Sequence, residues 1–341
     1  MTARNSNIEL ARIVSMVAIV IYHFVCHGIY SNSWPLGPDF PLSPQDKLIS
    51  YTTAFLMFGT DLFAMISGFF RIKLRWKTLI NLWFLCAFYN ILRILVIADF
   101  SISSILRCFF ISQTQQWYFQ AYLWIVLLSP LINAGINTLN AASLRLTCAF
   151  CFCLCGVSGW FLESVNVNGH SMIQLLCMYI IGAGLQREIS TINRAKSYWY
   201  LMVFICANIS NILFITLYSK RGLQMLFHHN NPFVMLSAMS ALCFFSSLSI
   251  KNNIVNKIAA STPAVLLLSD TVFDNPLYSY IHNTFEQDGG FCATFISKEL
   301  LILLGIFGTA YLIDYIRKIA LNTLSNRFSD YLERKYPIHV P

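Results

Sequence analysis

Charge is what this chain has least of. Only 11% of its 341 residues are charged, against about 25% in a soluble domain, and that scarcity excludes an ordinary soluble globular protein. Also missing are an internal repeat at a fixed period, a stretch composed like a separate soluble domain, and a small-residue cleavage pattern after the first apolar run, which therefore reads as a retained span. There are 11 cysteines, but they make no framework. Cys148 and Cys151 have C-x-x-C spacing, yet they lie with Cys153 and Cys155 in an apolar run, so neither a zinc site nor a disulfide scaffold is indicated.

What is present is apolar: hydrophobic residues reach 57%, with 28 Phe, 16 Tyr and 7 Trp, a composition that suits lipid-facing helices and their interfacial belts. The expected fold is all-α, a polytopic transmembrane helical bundle. With about 20 apolar residues per span, ten candidates can be placed, at 13–30, 51–70, 78–98, 116–133, 142–160, 170–186, 197–217, 232–249, 257–273 and 295–316. The sixth and ninth are short. Between the third and fourth, the amphipathic run Ser101 to Phe110 reads as an interfacial helix.

The formal net charge of +8 raises the question of nucleic acid. Most Lys and Arg instead fall in short clusters between apolar segments, including Arg71 to Lys77, Arg187 to Lys196, and Arg317 with Lys318. This is the positive-inside pattern rather than a nucleic-acid face, and it predicts both termini in the cytoplasm and an even number of spans. The longer polar connections, 31–50, 99–115, 161–169, 218–231 and 274–294, then lie outside, where they can shape a mouth for a polar substrate. Residues 1–317 read as the transmembrane domain and 318–341 as a short cytoplasmic tail whose helix frays at Pro337.

Ionisable groups inside hydrocarbon are costly and usually kept for a function. Arg12 and His23 stand eleven residues apart in the first span, almost three helical turns, so they share a face about 16 Å apart. His23 is the candidate proton acceptor, with His27 one turn further out. Arg12 has two readings, a contact for an entering phosphate or an inner-surface anchor paired with Glu9. Arg71, Lys73, Arg75 and Lys77 follow the second span at a density that fits a partner with several phosphates or an anionic lipid headgroup. Ser67 and Gly68 just above them suit either close helix packing or a narrow passage for an acyl chain. Asp61, higher in that span, is a candidate partner for His23 or His27. Tyr118, Gln120, Glu163, His170, His228, His229 and Asn230 can line an outer cleft or simply be solvated. Asp270 is an acid at membrane depth that needs a partner.

Several of these runs resemble the acyltransferase-3 family of integral membrane acyltransferases, which includes bacterial O-antigen and capsule O-acetylases. Arg4 through Arg12 followed by His23 is similar to the family's opening motif, Leu62 through Phe70 to its second-span motif, and Arg71 through Arg75 to its basic inner loop. Weaker echoes are Trp117 to Phe119 through Pro130 to Asn133, Tyr179 to Gly184, Asn231-Pro232, and Asn256 to Val265. Many relatives carry a histidine before the acid of the ninth-span motif. Here Ser269 takes that place before Asp270, and His282 is only a distant substitute.

The resemblance implies an acyl-CoA donor, most often acetyl-CoA, with Arg71, Lys73, Arg75 and Arg12 meeting its phosphates and Ser67-Gly68 admitting the thioester. It implies a hydroxyl of a surface polysaccharide or lipid-linked saccharide as acceptor, His23 as base, and Arg12, Ser15 or Tyr22 as donors to the carbonyl oxygen. It places the protein in the bacterial inner membrane among lipids, with no metal and no nucleic acid, and is compatible with a homodimer. A transporter or flippase of a polysaccharide intermediate is the competing reading, although such a protein is expected to show inverted repeats and interrupted helices.

Overall fold

A computed structural model describes residues 5–30, 43–111, 117–218 and 222–338, and its regular structure is helical throughout. The chain runs through α1 (Ser6–His23), which continues as a π-helical turn (Phe24–Ile29), then α2 (Pro44–Ala54), α3 (Phe58–Phe69), α4 (Trp76–Ile97), α5 (Ile102–Arg107) and α6 (Trp117–Thr138). Next come α7 (Ala141–Cys153) with a second π-helical stretch (Leu154–Phe161), α8 (Met172–Arg187), α9 (Ile189–Ile192), α10 (Ser197–Tyr218) and α11 (Pro232–Ser246). The last part is α12 (Asn253–Ala259), α13 (Thr262–Leu267) with a third π turn (Leu268–Val272), α14 (Asp274–Gln287) and α15 (Ala293–Lys335).

Among the described residues, seven helical runs are long and apolar enough to cross a membrane: Ser6–Ile29, Pro44–Phe69, Trp76–Ile97, Trp117–Thr138, Ala141–Phe161, Ser197–Leu217 and Ala293–Lys335. The other three stretches with span-like composition are shorter or broken. Helix α8 has 16 residues and α11 has 15. The third stretch is divided between α12 and α13 at Ala260-Ser261, where Thr262-Pro263 restarts the helix. The amphipathic run forms α5, capped by Ser101 and left with exposed Ile102 and Leu106. Trp83 and Asn90 hold its exit by donating to the carbonyls of Phe109 and Cys108.

One end of the bundle gathers the basic residues. The guanidinium of Arg12 lies 5.5 Å from the centre of the Phe70 ring, so the start of α1 and the end of α3 are together. Arg71 reaches Asn137 at the end of α6, and Arg145 pairs with Glu188 at 2.9 Å. Asn7 bonds to Leu248 and Ile250, and Ser6 to Asn252, which ties the start of α1 to the segment after α11. At this end a buried carboxylate, Asp314 of α15, accepts from Ser261 at 2.7 Å and pairs with Arg317 and Lys318. Helix α15 has 43 residues, roughly 65 Å at 1.5 Å per residue, so it runs far past a core of about 30 Å. The segment 318–335 continues that helix without a break. Trp76 donates to the carbonyl of Tyr336 just beyond it.

Helix α3 is the most enclosed element, packed between α1, α8 and α11, with nearly every residue buried. Two glycines allow its approach to α8. A Cβ on Gly68 would run into the main chain of Tyr179, and one on Gly182 into the main chain of Met65. Small residues that bring helix backbones together are a packing device inside membranes. Of the two readings of Ser67-Gly68, the packing role is present in the structure, with Gly68 set against the main chain of α8. Replacing Gly68 with Ala should therefore force the helices apart and cost about 1–3 kcal/mol. A lowered melting temperature of the detergent-solubilised protein checks this, and Gly135→Ala, which meets open space, is the control expected to melt like wild type.

Candidate functional site

Three ionisable side chains converge at the end of α1 away from the basic cluster. His23 closes the α-helical part of α1, and the chain then loosens into the π turn that carries His27. Asp270 sits on another π turn, at the end of α13. Such turns change the helical register by one residue and recur at functional sites; here they present His27 and Asp270. His23 Nδ1 lies 3.4 Å from Asp270 Oδ1, and His27 Nε2 lies 3.9 Å from the same oxygen. The Tyr278 hydroxyl donates to Asp270 Oδ1 at 2.8 Å. The two imidazoles meet edge-on with centres 5.0 Å apart.

The carboxylate facing His23 is thus Asp270. Asp61, expected to pair with His23 or His27, is fully buried elsewhere, where Gln174 Nε2 donates to its Oδ1 at 3.0 Å. The same Gln174 nitrogen donates to the carbonyl of His229 at 2.9 Å, and Asn166 donates to Gln174 Oε1 at 2.8 Å. Asn230 bonds back to the carbonyl of Asn166, and the amide of His229 to the carbonyl of Asn168. Asp61 therefore anchors the loops at 166–171 and 228–231 through Gln174. The sequence gives no sign that these two loops meet.

Those loops close a cavity of about 110 Å³. His23, Tyr22, Trp117, Tyr118, His170 and His229 all line it. Met16, Phe63, Phe119 and Leu266 give it an apolar lining. The rings of His170 and His229 are 4.8 Å apart, with Trp117 at 5.2 and 5.9 Å. His229 is buried, and burial pushes its imidazole well below the ordinary range, so the ring is neutral. Ser269 is buried and spends its hydroxyl on the carbonyl of Val265 at 3.0 Å. His282 lies outside the cavity, with Nδ1 3.1 Å from the carbonyl of Ile29 and Nε2 3.4 Å from Glu286.

The other candidates lie toward the basic end. Arg12 Nη1 is 3.3 Å from both carboxylate oxygens of Glu9, so the pairing of the anchor reading is present, and a quarter of its side chain remains accessible. Ser15 donates to the carbonyl of Ala11 at 2.8 Å and is buried, so its hydroxyl is spent within α1. Ser67 donates to the carbonyl of Phe63. Arg71 has a left-handed backbone, φ 49°, which ends α3 abruptly and turns Lys73, Arg75 and Lys77 outward, all three exposed. Their groove is shared with Ser329, Asp330 and Glu333 of α15, so cations and acids face one another there. Arg4 lies outside the described residues, as do 31–42 and 219–221 of the longer connections.

His23, His27 and Asp270 could each offer one ligand atom to a cation, all within 4.8 Å of one another. The same spacing serves a proton relay, in which the carboxylate fixes one imidazole nitrogen and leaves the other for substrate. A helical membrane bundle whose internal cavity is lined by a histidine backed by a carboxylate is an arrangement that an integral membrane enzyme can use. The model of one family, described as an acyltransferase domain, matches residues 5–315, and the chain belongs to this acyltransferase-3 family. No curated protein and no solved structure matches it. Membership identifies a membrane acyltransferase and supports an enzyme over the transporter reading.

If Asp270 fixes the tautomer of His23, Asp270→Asn should lower acyl transfer by about 10²- to 10⁴-fold, the range of a general base, while the protein still folds. Transfer rates at matched protein levels test this, and a rate within a factor of two of wild type would remove Asp270 from the reaction.

Proposed function

We propose that this protein is an O-acyltransferase that moves an acetyl group from acetyl-CoA to a hydroxyl of a cell-surface carbohydrate or its lipid-linked precursor. The observation that carries the reading is the placement of His23. It backs onto Asp270, opens on the cavity, and shares α1 with Arg12, which lies at the basic end. The reading puts the basic end and both termini in the cytoplasm of a bacterial inner membrane, so donor and acceptor enter from opposite sides.

In this scheme the CoA phosphates rest near Arg71, Lys73 and Arg75, with Arg12 next along the path. The acyl head reaches the cavity past Tyr122, which lines it and lies beside Ser67. Nδ1 of His23 faces Asp270, so Nε2 is the nitrogen left for substrate. It takes the proton of the acceptor hydroxyl as that oxygen attacks the thioester carbonyl. A tetrahedral intermediate forms, the carbon–sulfur bond breaks, and the proton held by His23 passes to the departing thiolate. Ester and free CoA are the products. This chemistry asks for no metal. The apolar lining and the absence of Lys or Arg from it favour an uncharged acyl group over succinyl.

The test is to express wild type and His23→Ala in the native host and weigh the surface polysaccharide. Loss of the acetyl mass increment in the variant alone is the expected result, and unchanged acylation would sink the proposed base. Separately, Arg71→Ala with Arg75→Ala should weaken acyl-CoA binding about tenfold or more, on the order of 1.4 kcal/mol. Since the contact is ionic and exposed, the difference should shrink as salt rises. Equal affinity at low salt would remove these residues from the donor site.

A further inference from the structure

We infer that Tyr118 and His229 form an oxyanion hole in the cavity shared with His23, donating hydrogen bonds to the carbonyl oxygen of the thioester. The inference rests on the acyl-CoA reading above.

Both side chains line the cavity that His23 lines. Both are buried, at 9% and 4% exposure. Among the described residues, the Tyr118 hydroxyl and the His229 Nδ1 have no hydrogen-bond partner. Leaving such an atom unpaired costs roughly 1–3 kcal/mol, so two of them on one small cavity call for an explanation. A bound polar group provides it.

The surroundings hold both groups in place. The His229 main chain is fully bonded, its amide to Asn168 and its carbonyl to Gln174, and Gln174 is itself fixed by Asp61 and Asn166. The ring packs against His170 and Trp117. Tyr118 stacks on Tyr122 with ring centres 6.0 Å apart and meets Phe63 edge-on at 6.1 Å. Each ring is therefore positioned by packing, while its polar atom stays uncommitted. That is the arrangement transition-state stabilisation requires, since donors already in place need not reorganise as charge builds on the oxygen.

Of the three residues first considered for this task, Ser15 donates within α1, Arg12 is paired with Glu9, and Tyr22, which also lines the cavity, is hydrogen-bonded with Cys26. The lining of the cavity is mostly apolar and aromatic, which suits an acyl thioester head better than a polyhydroxylated sugar ring, so the group assigned to Tyr118 and His229 is the donor carbonyl. When the acceptor oxygen attacks, the carbonyl π electrons move onto that oxygen, and the hydroxyl of Tyr118 and Nδ1–H of His229 hydrogen-bond to it without giving up their protons. On collapse the electrons return and the carbon–sulfur bond breaks. His229 stays neutral throughout and His23 alone carries the transferred proton.

The experiment uses full-length protein in detergent with acetyl-CoA labelled with carbon-13 at the thioester carbonyl. Binding is measured first, then the infrared carbonyl band of the bound donor, then transfer in membranes from the native host. Hydrogen bonding lowers a carbonyl stretch, so wild type should show a band below that of free acetyl-CoA. Tyr118→Phe removes one oxygen and keeps the ring; it should move the band back toward the free value and slow transfer about 10²- to 10³-fold, as loss of one such donor does. His229→Phe should do the same, and His229→Asn, which restores an amide near the Nδ1 position, should recover part of both. His23→Ala should abolish transfer and keep the lowered band. A bound donor whose band and transfer rate are unchanged in Tyr118→Phe and in His229→Phe overturns the oxyanion hole and leaves the acyltransferase reading intact. Failure of wild type to bind acetyl-CoA overturns the donor assignment, and the oxyanion hole with it.

Discussion

A carboxylate inside an apolar bundle has to be paired, and the pairing of Asp270 organises the half of the molecule away from the basic cluster. One oxygen of this side chain faces His23, His27 and the Tyr278 hydroxyl. These partners come from α1 with its π turn and from α14, so two separate segments are held around one acid on a third. His23 is thereby presented to the cavity with Asp270 behind it.

Two further buried acids repeat this logic in different places. Among the described residues no cation pairs with Asp61; it is met by Gln174, whose amide nitrogen also holds the carbonyl of His229. Asp314 is met by Ser261, Arg317 and Lys318 and joins the start of α13 to the long α15. One acid therefore backs His23, a second holds the loop that carries His229, and the third secures the basic end. Glycine contacts between α3 and α8 complete the frame, because they bring Gly68 against the main chain of Tyr179 and Gly182 against that of Met65. Packing sets the helices and buried polar pairs set the register of the site, a division of labour that a lipid-soluble bundle needs because apolar contact alone does not discriminate one register from another.

Much of this was legible in the sequence and some was not, for physical reasons. The apolar runs and the basic clusters are composition signals, and they recover the helical membrane class. His23 and Arg12 were legible because helical periodicity within one element is a local property, and the structure keeps both in one continuous helix. Long-range partners were not. Asp61 and Asp270 are both acids within apolar runs, and nothing local says which of them faces His23; the choice depends on how α3 and α13 stand around α1. The Asp61 reading failed on that point, and Ser67-Gly68 was ambiguous because small residues suit a passage and a packing seam equally. The π turns at Phe24–Ile29 and Leu268–Val272 were also invisible, since their apolar composition is that of the α-helices they extend.

The place of Ser269 bears on what this site needs. A histidine is the usual residue there among the relatives this chain resembles, and Ser269 cannot replace it, because its hydroxyl is buried and donates to Val265. The cavity nevertheless holds two further imidazoles, from loops far apart in the chain and clamped by the Asp61 network. A site of this kind is specified by which groups line it rather than by which element supplies them. His229 could not be picked out as a loop residue flanked by His228 and Asn230, where a solvated role is the ordinary outcome. It becomes a cavity residue only because Gln174 and Asn168 pin its main chain, and Gln174 does so by sharing one amide nitrogen between His229 and Asp61. Asp61, which does not touch His23, therefore still shapes the cavity, by holding the loop that carries His229.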